Sequence, residues 1–130
     1  MNNRKVYISG AIVPEADAKI SIFDSAVLLG DTVTESTRTF NYKPFKLDDH
    51  LERLYKSFKL TRIDPQMTIE EMKKVSLDLL EINKDQYKSN EDCWLVHNIS
   101  RGHSITGGNP ALQVSKPTVM IYTQPMNLVL

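Results

Sequence analysis

The chain has 130 residues, enough for one domain around one core, and its 41% apolar content excludes global disorder. Its 16 Lys+Arg balance 16 Asp+Glu, so it lacks the basic excess of a dedicated nucleic-acid binder. The lone cysteine, Cys93, excludes an intrachain disulfide and a cysteine-built metal site, and it suits a reducing, cytoplasmic setting. No run approaches the roughly 20 apolar residues of a membrane helix, and "MNNRKVYISGAIVP" has no signal-peptide core.

The first element is a short hairpin, "KVYISGAIV", turning at Ser9 and Gly10. "PEADAKISIFD" reads as a loop leading into alternating Ile20 and Ile22. "TVTESTRTF" is rich in β-branched residues and predicts a strand. "NYKP" then turns the chain and "FKL" starts the return strand, giving a hairpin over residues 32–47. Asp48 or Asp49 caps a helix running to about Thr61, and Asp49 with Glu52 has capping-box spacing. Leu47, Leu51, Leu54 and Phe58 form its apolar stripe.

"IDPQMT" breaks that helix. Thr68 caps the next, with Glu71 three residues on and a stripe of Ile69, Met72, Val75, Leu79 and Ile82. After the polar "NKDQYKSNED" comes a buried strand, "CWLVHNIS", a long loop, "RGHSITGGNPALQVSKP", and a last strand, "TVMIYTQP". This order lacks the alternation of a doubly wound sheet. It predicts an α+β fold, an antiparallel sheet with two helices packed on one face. The apolar end, "YTQPMNLVL", has no cap or polar tail, as expected of a longer protein cut short.

Few residues carry chemistry by pattern. His50, His97 and His103 are too dispersed for a metal motif, and His97 reads as a satisfied core residue. Cys93 has no evident partner base and reads as a small core side chain. No nucleotide-binding glycine motif is present, and "TGGNP" is either a plain surface turn or a loop reaching a ligand or partner. Thr34, Ser36 and Arg38 share one strand face, a candidate ligand wall, while Val33, Glu35 and Thr37 share the other. Arg53 lies roughly 140° around its helix from the apolar stripe, where a solvated arginine is the ordinary reading.

A resemblance takes the reading further. Residues 7–63 carry "P-x-x-x-A-K-I-S-I-F-D", then "G-D-x-V-x-E-x-x-R-x-F-N-x-K-P-F", then "L-D-x-H-L-x-R-L". This pattern closely resembles the N-terminal part of the class IV aminotransferases, the fold-type-IV pyridoxal-phosphate enzymes. These include branched-chain and D-amino-acid aminotransferases and aminodeoxychorismate lyase. "SRG" and the final "TVMIYTQP" fit the same small domain. The resemblance implies a small α+β domain over residues 1–124, the start of an interdomain linker at 125–130, and a large catalytic domain beyond this chain. The family's Schiff-base lysine lies in that second domain, so the chain alone is expected to be inactive.

By the same resemblance, Arg53 binds the phosphate of pyridoxal 5'-phosphate. Thr34, Ser36 and Arg38 fall where branched-chain enzymes have "F-E-G-I-R", lining or bordering the substrate pocket. Arg38 fits, whereas Thr34 and Ser36 replace an aromatic and a glycine, which makes the wall more polar or wider. Thr106, Gly107 and Gly108 fall in a loop that reaches a neighbouring subunit's pocket, implying a homodimer. The Arg101/His103 spacing is that of the D-amino-acid enzymes' carboxylate pair, but its register matches the ordinary strand-end "R-G". The implied activity is amino transfer between an amino acid, with branched-chain ones among the candidates, and a 2-oxo acid. An aminodeoxychorismate lyase of the same fold and a non-enzymatic dimerisation or binding module are the alternatives.

Overall fold

The computed structural model describes residues 3–104 and 115–126. Six strands form a single antiparallel sheet: β1 (Lys5–Ile8), β2 (Ala11–Pro14), β3 (Thr32–Phe40), β4 (Lys43–Pro44), β5 (Cys93–Ser100) and β6 (Thr118–Pro125). Their spatial order is β2-β1-β6-β5-β3-β4. The helices are α1 (Ser25–Leu29), α2 (Leu47–Thr61) and α3 (Ile69–Asn83), with short 3-10 turns at Glu15–Asp17 and Lys84–Gln86. The expected α+β class and antiparallel sheet are observed.

The pleat sorts β3 cleanly. Val33, Glu35, Thr37 and Thr39 are buried, while Thr34, Ser36 and Phe40 are exposed. In register opposite, Glu35 pairs with His97 and Ser36 with Val96. α2 reaches Glu35 and α3 reaches His97, so both long helices lie on the same face. The core between them holds Leu51, Leu54, Phe58, Met72, Leu79, Leu95, Ile99 and Ile121.

α2 buries its expected stripe, Leu47, Leu51, Leu54 and Phe58. Its start differs from the expectation. The hairpin turn is Asn41-Tyr42, both at positive φ, and the return strand is Lys43–Pro44 rather than "FKL". Lys46 follows in the left-handed region as N-cap, without a side-chain cap bond, and Leu47 is already helical. Asp48 and Asp49 therefore sit in the first turn, where they favour the helix dipole but do not cap.

α3 has its capping box: Thr68 accepts from Glu71 N, and Glu71 answers to Thr68 N. Its inner stripe, however, is Met72, Ser76, Leu79, Leu80 and Asn83, and Ile82 is 46% exposed. The inner face includes polar positions because the sheet offers them partners. Asn83 Oδ1 accepts from Lys5 N at 2.8 Å, and Asn83 Nδ2 donates to Lys5 O and to Thr123 Oγ1.

α1 is a single capped turn absent from the sequence reading. Asp24 Oδ1 accepts from Ala26 N at 2.9 Å, and Gly30 closes the turn at φ 65°. The Asp24 carboxylate also accepts from Ser100 Oγ and Thr118 Oγ1, tying this turn to β5 and β6. Ile20 and Ile22 lie in no strand, and Ile22 is 68% exposed.

Candidate functional site

The outer edge of β3 organises the site. β4 covers only Thr39 and Phe40, and Phe45 N donates to Arg38 O at 2.8 Å on that same edge. The ladder's two-residue alternation then turns the backbone groups of Thr34 and Ser36 to this edge, beyond the reach of β4. Their side chains stand on the sheet face away from α2 and α3. α2 runs past the other face and carries Arg53 onto Glu35 of the same strand.

Arg53 is not simply solvated. Its Nε donates to Glu35 Oε2 at 2.9 Å, and its Nη2 donates to Glu35 Oε1 in a short contact. His50 Nδ1 lies 2.8 Å from the same Oε1. Glu35 is 3% exposed at the side chain, whereas Arg53 is 70% exposed. Two of the five guanidinium N–H donors go to Glu35, and the remaining three make no hydrogen bond among the described residues on a side chain that is mostly exposed. Burial alone would raise the Glu35 carboxyl, but hydrogen bonds and charge from Arg53 and His50 outweigh it and hold the group below its ordinary value. The Glu35 hydrogen bond and charge push Arg53 up in turn.

The spacing makes this cluster possible. His50 and Arg53, three apart on α2, point to one side of the helix, and Glu35 is the charged residue on the buried face of β3. The sequence reading missed Glu35 and His50 as a unit. The available signal was Glu35 itself, because a carboxylate on a buried strand face requires a cationic partner.

Arg38 leans away from Thr34 and Ser36. Its guanidinium carbon sits 3.7 Å over the Phe40 ring, its Nε donates to Thr39 O at 3.2 Å, and its Nη2 is 4.0 Å from Asp92. Thr34, Ser36 and Arg38 thus share a face, with Asn98, Val96 and Trp94 opposite them on β5. Arg53 approaches the same strand from the other side. The expected site residues Thr106, Gly107 and Gly108 lie outside the described residues.

Arg101 is structural. It forks onto Asp31 through Nε at 2.7 Å and Nη2 at 3.1 Å, and it donates to Thr61 O at the end of α2 and to Arg62 O just past it. Among the described residues no His, Cys, Asp or Glu group is arranged to hold a metal. Cys93 is fully buried and burial pushes its thiol up to about 11, which makes it a poor nucleophile. Among the described residues no helix is long and apolar enough to cross a membrane.

The amino-transferase class IV family matches residues 32–129. The chain belongs to that family. It is 37% identical over 122 residues to a protein of Methanocaldococcus jannaschii assigned as a branched-chain-amino-acid aminotransferase, covering 94% of this chain and 40% of that relative. A D-alanine aminotransferase of Staphylococcus epidermidis is 37% identical over 79 residues, 61% of this chain and 28% of that protein. Among solved structures, a T.th. branched-chain amino acid aminotransferase complexed with N-(5'-phosphopyridoxyl)-L-glutamate superposes with TM-score 0.82 and 26% identity. That match covers 98% of this chain and 42% of the other. This class IV chain thus spans about 40% of the length of the relative it matches over most of its own length.

Proposed function

We propose that this chain supplies the phosphate grip and the substrate wall of a pyridoxal-phosphate-dependent aminotransferase. The reaction transfers an amino group between an amino acid and a 2-oxo acid. The observation that carries the reading is the Arg53 guanidinium, held by one edge on buried Glu35 while its other donors make no hydrogen bond among the described residues. A phosphate dianion needs such a permanently charged, planar, multi-donor group, and the residues present fit that end of the cofactor. When bound, the cofactor supplies an electron sink for bonds broken at the amino acid's α-carbon. Thr34 and Ser36 present hydroxyls from β3, and Arg38 borders them.

The family's catalytic lysine belongs to a second domain, so residues 1–124 alone are inactive under this reading, with 125–130 leading onward. Under the same reading Thr106, Gly107 and Gly108, outside the described residues, belong to the substrate site of a cytoplasmic homodimer. Branched-chain substrates are supported by the names of the relatives. A second reading, an aminodeoxychorismate lyase of the same fold, draws on the polar wall at Thr34 and Ser36.

The test uses the full-length protein. Arg53→Ala should lose pyridoxal-phosphate retention on dialysis, and wild-type retention would sink the phosphate reading. A panel of amino donors with 2-oxoglutarate, set beside pyruvate release from aminodeoxychorismate, separates transferase from lyase.

A further inference from the structure

We propose that Glu35 is a positioning residue for the phosphate grip: it holds the Nε/Nη2 edge of Arg53 and so aims the opposite edge outward. The inference rests on the Arg53 reading above and deepens it. Glu35 is fixed on every side. Its backbone lies in the β3–β5 ladder opposite His97. Oε2 receives Arg53 Nε, and Oε1 receives Arg53 Nη2 and faces His50 Nδ1. A side chain with 3% exposure cannot swing to another partner without unpairing a buried charge. Arg53, at 70% exposure, has no comparable packing of its own. Its aim is therefore set by the carboxylate beneath it. His50, half-buried on α2, steadies the same oxygen from one helical turn away.

Charge alone makes the opposite prediction. Glu35 cancels one positive charge beside a dianion, so a purely electrostatic site would bind phosphate more tightly without it. Positioning predicts weaker binding, because a freed guanidinium must be ordered again by each ligand. The two accounts differ in sign.

The experiment measures dissociation constants of the full-length protein for pyridoxal 5'-phosphate and for pyridoxal, which lacks the phosphate. Glu35→Gln should weaken the phosphorylated ligand on the order of tenfold, the usual scale for losing an outer partner of a binding group, and leave pyridoxal unchanged. In an Arg53→Ala background the same change should have no further effect. Unchanged or tighter binding of the phosphorylated ligand overturns the proposal, as does equal weakening of both ligands, which marks a general structural defect. If Glu35→Gln does not fold, Glu35→Asp decides, since it keeps the charge and leaves Arg53 intact but draws the carboxylate back from the Nε/Nη2 edge. A tenfold loss supports positioning and wild-type affinity overturns it. If Arg53→Ala keeps the cofactor, the phosphate reading itself fails. If Arg53→Ala loses it while Glu35→Gln does not, only the positioning role fails.

Discussion

Ser76 Oγ lies 2.7 Å from His97 Nε2, and both residues are fully buried. Ser76 Oγ also donates to Met72 O at 2.7 Å, so its one proton is committed and the imidazole Nε2–H donates to the hydroxyl. Nδ1 is then an acceptor, and it has no partner among the described residues. Burial drives His97 down to about 4, while Glu35 acts upward and His50 downward. His97 is therefore neutral in the fold.

A pH dependence follows. Between about pH 6.5 and 4 the unfolded chain holds a proton on this histidine and the folded chain does not. Stability must fall as pH drops through that window, by up to about 3 kcal/mol. Glu35 acts in a lower range. Its depressed carboxyl contributes stability above its ordinary value of 4.5, which is lost as pH falls through the folded value. His97→Gln should flatten the urea midpoint between pH 6.5 and 4.5, and an unchanged slope there would exclude His97 as its source.

Asn83 fastens α3 to β1 by both amide atoms. Asn83→Ala strips partners from Lys5 N, Lys5 O and Thr123 and should cost about 2 kcal/mol. Amide hydrogen exchange at Lys5 should quicken more than exchange in β5. Equal protection at Lys5 would show that the pair does not anchor the strand.

Leu54, the α2 residue directly after Arg53, is fully buried against the sheet. Leu54→Ala should cost about 2–5 kcal/mol in chemical unfolding, the range for emptying a core leucine site. A loss below about 1 kcal/mol would mean that the core closes over the gap.

Gly102 has φ +99°, and a Cβ there would fall onto the Lys116 carbonyl oxygen. Gly102→Ala combines backbone strain with a backbone clash, so about 3 kcal/mol or more is expected. Gly30 also has positive φ but meets nothing within 4 Å, and Gly30→Ala should cost less. Thermal midpoints of the two variants test this ranking.

Much of the fold could be read from residue spacing. β3 and α2 each bury one clean apolar or alternating face, and their patterns state it directly. α3 misleads because Ser76 and Asn83 satisfy polar groups of the sheet, work that a hydrophobic stripe does not record. α1 is too short to show a period, although Asp24 and Gly30 bracket it with standard stop signals. Arg53 looked solvated because its partner lies 18 residues away on a strand, and helical spacing carries no record of that distance. The motif resemblance singled out Arg53, but only the folded geometry shows Glu35 beneath it.

The strand order has a consequence for how the chain is made. β1, made before the other five strands of this sheet, pairs with β6, which is made after them. The β1–β2 hairpin must wait for more than a hundred further residues before its inner edge finds a neighbour. Non-local pairing of this kind slows folding and leaves an early strand exposed to misassembly. A nascent chain stalled before Thr118 would hold β3, β4, α2 and α3 with no strand to close the sheet between β1 and β5. Thr118–Pro125 is the keystone, and vectorial synthesis sets it last.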